Sequence, residues 1–124
     1  MKEVIEETLD DASAMLERAS YRSAINRAYY AMFYTAQHYL KVRHFDETKH
    51  LKTHNGTQTK FYQLAVRTDG LDEGLGGAFA RIGNDRTDFD YGLAETPDRT
   101  DATDAVSTAR WFCRTVLADL DRTS

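Results

Sequence analysis

Cysteine occurs once in this 124-residue sequence, at Cys113, and proline once, at Pro97. A lone cysteine excludes an internal disulfide framework and a cysteine-rich zinc site. A lone proline leaves nearly all of the chain free to run in long helices. The seven glycines gather mainly between Gly70 and Gly77, and no apolar run approaches the roughly 18 residues of a membrane span. The opening segment, Met1-Lys2-Glu3-Val4-Ile5-Glu6-Glu7, lacks the basic-then-apolar order of a secretion signal. Basic charge is scarce too, with 16 Lys and Arg against 20 Asp and Glu and a net charge of −4. That excludes coating of nucleic acid by bulk charge and leaves only a local basic patch. The expectation is a single cytoplasmic domain over residues 1–124, with no membrane attachment, metal or cofactor.

What is present is helical periodicity. Val4, Ile5, Leu9, Ala12, Met15, Leu16 and Ala19 fall within about 140° of arc, which predicts an amphipathic helix over 2–19. Ser20 is the expected N-cap of a second helix from Tyr21 to about Val42. Its main stripe is Ile25, Ala28, Tyr29, Met32, Ala36, Tyr39 and Leu40. The opposite side carries Arg27, Tyr30, Ala31, Tyr34 and His38, bulky for a solvated face. Such a helix is either central in a bundle or shared with a partner. The pattern lapses from Arg43 to Gly56, which reads as a loop. Thr57–Thr68 predicts a short third helix stopped by Gly70, and Leu71–Arg86 a fourth. Thr87–Pro97 reads as irregular. A fifth helix runs from Asp98 or Thr100 to Leu120, burying Ala102, Ala105, Val106, Ala109, Phe112, Cys113, Val116, Leu117 and Leu120. The fold class is therefore all-α, an up-and-down bundle of four to five helices.

Three blocks carry a family resemblance. Tyr21 to Phe33 contains Arg27-Ala28-Tyr29-Tyr30-Ala31-Met32-Phe33 and resembles the RAYYAMF helix of HEPN domains. Lys52-Thr53-His54-Asn55-Gly56 is similar to the family's KTHxG loop, and Arg86-Thr87-Asp88-Phe89-Asp90-Tyr91-Gly92 to its RxxADYG segment. The resemblance implies a helical bundle, commonly a dimer, often encoded beside a minimal nucleotidyltransferase. It also implies kinship with metal-independent RNases, some of them toxins of toxin–antitoxin pairs. Their motif is Arg, a polar residue, a short spacer and His. Here Arg86 and Thr87 match its first half, Tyr91 stands where His would be allowed, and no histidine follows His54.

The missing imidazole matters chemically. Metal-free RNA cleavage needs one group to move a proton from the 2′-hydroxyl and another to stabilise the phosphorane. Arg86 suits the second task, because guanidinium is always charged and matches phosphate geometry. Tyr91, with an ordinary pKa near 10, is a poor base but can hydrogen-bond or stack on a nucleobase. His54, brought near Arg86 by folding, would supply an imidazole. The bland alternative has Arg86 paired with Asp88 or Asp90 and Tyr91 packed over the third or fourth helix.

Arg27, Tyr30 and Tyr34 share a helix face suited to a nucleotide or RNA segment, to a dimer or partner surface, or simply to packing. Trp111, between Arg110 and Arg114 and opposite the core stripe, is a candidate interface residue unless the bundle covers it. His44, His50, His54 and Asp46 do not form a metal set without a helix that Thr53–Gly56 disfavours. Asn55-Gly56-Thr57 fits a glycosylation pattern without the secretory context. The preferred reading is a binding or regulatory subunit, paired with a minimal nucleotidyltransferase in a toxin–antitoxin-like system. The alternatives are a metal-independent RNase using Arg86 with Tyr91 or His54, and a nucleotide- or RNA-binding module without turnover.

Overall fold

The computed structural model describes residues 1–93 and 95–122. Six α-helices succeed one another among them: α1 (Lys2–Glu17), α2 (Tyr21–Arg43), α3 (Phe45–Thr48), α4 (His54–Lys60), α5 (Glu73–Asp90) and α6 (Arg99–Arg122). Between α4 and α5 the chain continues as a π-helical stretch, Phe61–Thr68. No strand occurs among the described residues, so the class is all-α as the periodicity predicts. No described helix is long and apolar enough to cross a membrane.

The second helix is the centre of the packing. Ala24, Ile25, Ala28, Tyr29, Ala31, Met32, Phe33, Thr35, Ala36, Tyr39 and Leu40 are buried, which takes in more than one face. α1 lays Ile5, Leu9 and Ala12 on one side of it, and α6 lays the expected stripe from Ala102 to Leu120 on another. Small residues at the contacts let the helix axes approach. Phe61, Phe79 and Phe112 meet in the middle with ring centroids 5.2–5.9 Å apart. Complete burial of each such ring is worth about 1.5–3 kcal/mol. Tyr29 stacks on Phe79 at 5.8 Å, joining this core to the surface region described below.

The helix ends follow local chemistry. α1 closes with Ala19 in the left-handed region (φ 60°), while the Ser20 N–H reaches the Met15 carbonyl and the Ala19 N–H the Leu16 carbonyl. That is the Schellman pattern, with alanine where glycine is usual. Ser20 occupies the N-cap position of α2, although its side chain makes no capping bond. At the start of α6, Asp98 and Asp101 accept from each other's backbone N–H, a reciprocal cap.

Three expected boundaries are corrected. The Arg43–Gly56 segment is not wholly a loop: α3 forms a single turn, and α4 begins at His54 rather than Thr57. Thr53 is the reason, because its hydroxyl caps the Gly56 N–H at 2.9 Å. The fourth predicted helix is displaced, starting at Glu73 behind the Asp72 cap and continuing through Arg86 to Asp90. Thr87 to Asp90 are thus helical, not irregular, with Thr87 Oγ1 donating to the Gly83 carbonyl one turn back.

Candidate functional site

The three sequence blocks converge where α2, α4 and α5 meet. The Thr53 cap fixes His54 as the first residue of α4, and its imidazole inserts among the aromatic side chains of α2. It stacks on Phe33 with centroids 4.3 Å apart, stacks on Tyr29 at 5.6 Å, and meets Tyr30 edge-on at 5.6 Å. The Tyr29 hydroxyl lies 2.9 Å from His54 Nδ1, and Gln58 Nε2 donates to the same hydroxyl oxygen at 3.2 Å. A phenolic proton donated to Nδ1 leaves the imidazole proton on Nε2, whereas an Nδ1–H donating to the phenol leaves Nε2 free to accept.

Close approach here depends on Gly83 of α5. A Cβ at that position would stand 2.6 Å from Gln58 Nε2 and 3.0 Å from the Tyr29 ring. One turn further along α5, the Arg86 guanidinium carbon lies 4.9 Å from the Tyr29 centroid and 5.9 Å from that of Tyr30. Arg27 stands over Tyr30 as well, at 5.0 Å. Tyr30 therefore has two guanidinium groups within cation–π range.

Arg86 is mostly buried, its side chain 18% exposed. Its polar contacts are long: Nη1 to Asp90 Oδ2 and Nη2 to Thr87 Oγ1, both 3.4 Å. Its Nε is buried with no hydrogen-bond partner among the described residues. Of the two acids proposed from sequence as partners, Asp90 is the one that pairs. Asp90 also accepts from Asn26 Nδ2 at 3.3 Å, and Arg22 Nε donates to the Phe89 carbonyl at 3.2 Å. These bonds tie the end of α5 to α2. Beside them lies an open groove lined by Asp11, Met15, Arg22, Asn26, Arg27 and Asp90.

Electrostatics set the protonation states. Burial first, and the Arg86 charge second, hold the His54 imidazole below its ordinary range, so it is neutral at neutral pH. Burial raises the Tyr29 phenol, with Tyr30 adding to the effect and the Gln58 bond and Arg86 opposing it. The result is a fixed cation, a neutral imidazole and a protonated phenol within one aromatic cluster. Such a set can bind an anion, and its imidazole can accept or donate a proton.

Tyr91 caps the C-terminus of α5 and is 74% exposed, so it does not pack over the third or fourth helix. Tyr34 is half-buried against Tyr30 and Phe33. Trp111 is 43% exposed on α6, its ring 3.5 Å from where a Cβ on Gly74 would be. The histidines do not converge: His44 bonds Glu47 and Asp69, His50 is exposed, and His54 sits in the aromatic cluster. Sequence reasoning missed Tyr29 as a site residue, having assigned it to the core stripe, and missed Gln58, Asn26 and Gly83 altogether. A tyrosine on a buried stripe needs a partner for its hydroxyl, which was the available signal.

The family model for the HEPN domain matches residues 5–119. A "UPF0332 protein" of Thermotoga maritima is 29% identical over 119 residues, covering 94% of this chain and 87% of its own length. The protein named "Putative toxin MJ0605" of Methanocaldococcus jannaschii is 29% identical over 110 residues, covering 89% of this chain and 78% of its own. No solved structure gives a significant match. With the family model covering nearly all of the sequence, the chain belongs to the HEPN domain family.

Proposed function

We propose that this HEPN chain is the binding subunit of a toxin–antitoxin-like pair. In this reading it works in the cytoplasm beside a minimal nucleotidyltransferase-type protein and holds a phosphate-bearing ligand, nucleotide or RNA, at Arg86. Arg27, Tyr30, Thr87 and His54 complete the site. The observation that carries the reading is the state of Arg86: a buried Nε without a partner among the described residues and two Nη contacts stretched to 3.4 Å. A guanidinium with a donor unspent beside the half-buried Tyr30 is suited to a phosphate and a base stacked at that ring. The relative named as a toxin supports the biological setting. A homodimer using Tyr30, Tyr34 or their neighbours belongs to the same proposal, since both side chains are left half-buried.

The test is binding of a labelled oligoribonucleotide and of ATP, followed by fluorescence anisotropy. Arg86→Ala should weaken affinity about tenfold or more, the worth of one charge-assisted contact, with helical content unchanged by circular dichroism. Equal affinity of the two proteins would make Arg86 a structural ion-pair residue and end the proposal.

A second reading, metal-independent RNA cleavage, is favoured by one observation: Arg86 and a neutral His54 share Tyr29 and Tyr30 as neighbours. Here the guanidinium would stabilise the phosphorane while His54 moved the proton. Taking that proton on Nε2 requires the tautomer in which Nδ1–H donates to the Tyr29 hydroxyl, which leaves Nε2 free to accept. Chelator-resistant cleavage abolished by both Arg86→Ala and His54→Ala would establish this reading over the first.

A further inference from the structure

The open groove between α1 and the first half of α2 adjoins the Arg86 site. Arg22, Ser23, Asn26 and Arg27 line it from α2, and Asp11 and Met15 from α1. Asp90, the partner of Arg86, is a lining residue as well. The groove's own guanidinium groups are not spent on its acids. Among the described residues neither Arg22 nor Arg27 forms an ion pair, because Asp90 Oδ2 is shared by Arg86 at 3.4 Å and Asn26 Nδ2 at 3.3 Å. Arg22 donates once, from Nε to the Phe89 carbonyl, and Arg27 once, from Nη2 to the Asn26 side-chain oxygen at 3.0 Å. Their other N–H groups have no partner among the described residues, and neither has the exposed Ser23 hydroxyl. Tyr30 links groove and site, with the guanidinium carbons of Arg27 and Arg86 at 5.0 and 5.9 Å from its centroid.

We propose that this groove is a second phosphate subsite, so that the ligand of the Arg86 site is a single nucleotide strand rather than a free nucleotide. One phosphate meets Arg86, a base stacks at Tyr30, and the next phosphate is held by Arg27, Arg22 and the Ser23 hydroxyl. The inference rests on the proposed function, since it takes Arg86 as the first anchor. A groove that is open along its length and carries guanidinium groups beside an aromatic face follows a strand's backbone, whereas a small molecule is usually enclosed. With Asp90 paired to Arg86, the charges of Arg22 and Arg27 outweigh that of Asp11. Asp11 itself argues for a strand over the tail of a nucleoside triphosphate. Its exposed carboxylate would repel a crowded polyphosphate but can accept a hydrogen bond from the N–H groups of a base.

Isothermal titration calorimetry of the whole protein with uridine monophosphate, ATP and oligouridylates of increasing length tests the proposal. Affinity should rise tenfold or more from the monophosphate to the oligomers. Ser23→Asp sets a carboxylate one helical turn before Arg27 and removes no existing bond. It should abolish the gain with length and leave the monophosphate bound as before. Arg22→Ala should remove part of the gain and flatten the salt dependence of oligomer binding by a log–log slope of about 0.7, the worth of one single-strand phosphate. Thermal melts followed by circular dichroism would show both variants folded. Oligomers bound no more tightly than the monophosphate, or equally well by Ser23→Asp, would overturn the second subsite while Arg86→Ala still decided the first. A loss confined to ATP would overturn it too, because the second phosphate would then belong to the nucleotide's own tail. Binding of every probe unchanged in Arg86→Ala would instead remove the reading beneath it.

Discussion

Arg86 and His54 use the same ring. The guanidinium carbon of Arg86 lies 4.9 Å from the Tyr29 centroid, and the His54 imidazole stacks on that ring at 5.6 Å while contacting its hydroxyl at 2.9 Å. A residue from the start of α4 and one from the last turns of α5 are thus held in register by a fully buried tyrosine of α2. Any change to Tyr29 should be felt at both.

Tyr29→Phe keeps the ring and removes the hydroxyl that joins His54 and Gln58. The expected cost is about 1 kcal/mol of stability, the net worth of a typical hydrogen bond with some penalty for the orphaned partners. Chemical denaturation would measure it. An unchanged midpoint would show that the Tyr29–His54 contact contributes nothing to folding.

Gly83→Ala should be more damaging, at about 1–3 kcal/mol, because the new methyl overpacks the junction. It would stand 2.6 Å from Gln58 Nε2, so Gln58 must leave Tyr29 or α5 must shift. The same denaturation experiment applies, and a crystal structure of the variant should show Gln58 displaced.

These two residues also show where the sequence was informative and where it was not. Helical periodicity identified most of the stripes of α1, α2 and α6, because burial on one face leaves a repeating apolar signature; Val4 and Ala19 are exposed instead, and Leu117 is half-buried. It could not identify which buried tyrosine would receive a polar partner, since Tyr29 lies in register with Ile25 and Met32. The α4 boundary was hidden for a different reason. Asn55 and Gly56 are weak helix formers, and a single Thr53 cap outweighed them. The proximity of His54 to Arg86 is a tertiary contact that no local pattern encodes.

Two histidines should give stability opposite pH slopes. His44 has Nδ1 3.0 Å from Glu47 and Nε2 2.7 Å from Asp69, which also accepts from Tyr39 at 2.5 Å; Arg43 and Asp119 complete the surroundings. Burial lowers its pKa, but the two carboxylates outweigh that and raise it. Its stabilisation is therefore complete below about pH 6.5 and is lost as the pH rises through the folded value. His54, with its folded pKa lowered, stabilises above about pH 6.5, and that contribution is lost as the pH falls through its own folded value. Denaturation across this range should lose its alkaline decline in His44→Gln and part of its acid decline in His54→Gln.

Ala19→Gly should stabilise the protein by about 0.5–1 kcal/mol, since glycine occupies the left-handed region without the steric penalty that alanine bears at φ 60°. A lower denaturation midpoint would show instead that added freedom in the unfolded chain dominates.

Cys113 should resist alkylation in the native protein. Burial pushes its thiol up to about 12, only partly offset by Thr35, whose hydroxyl lies 3.1 Å from Sγ. Modification at neutral pH should therefore proceed at the rate of unfolding, and fast labelling under native conditions would contradict the packing of α6 on α2.

In the proposed function, Arg86 and His54 border one anion site. Nuclear magnetic resonance titration of the His54 imidazole, without ligand and with saturating ATP or oligoribonucleotide, tests it most directly. A bound phosphate offsets the Arg86 charge, so the ligand should raise the His54 pKa in the wild type and have no such effect in Arg86→Ala. A His54 titration that saturating ligand leaves unmoved would contradict the claim.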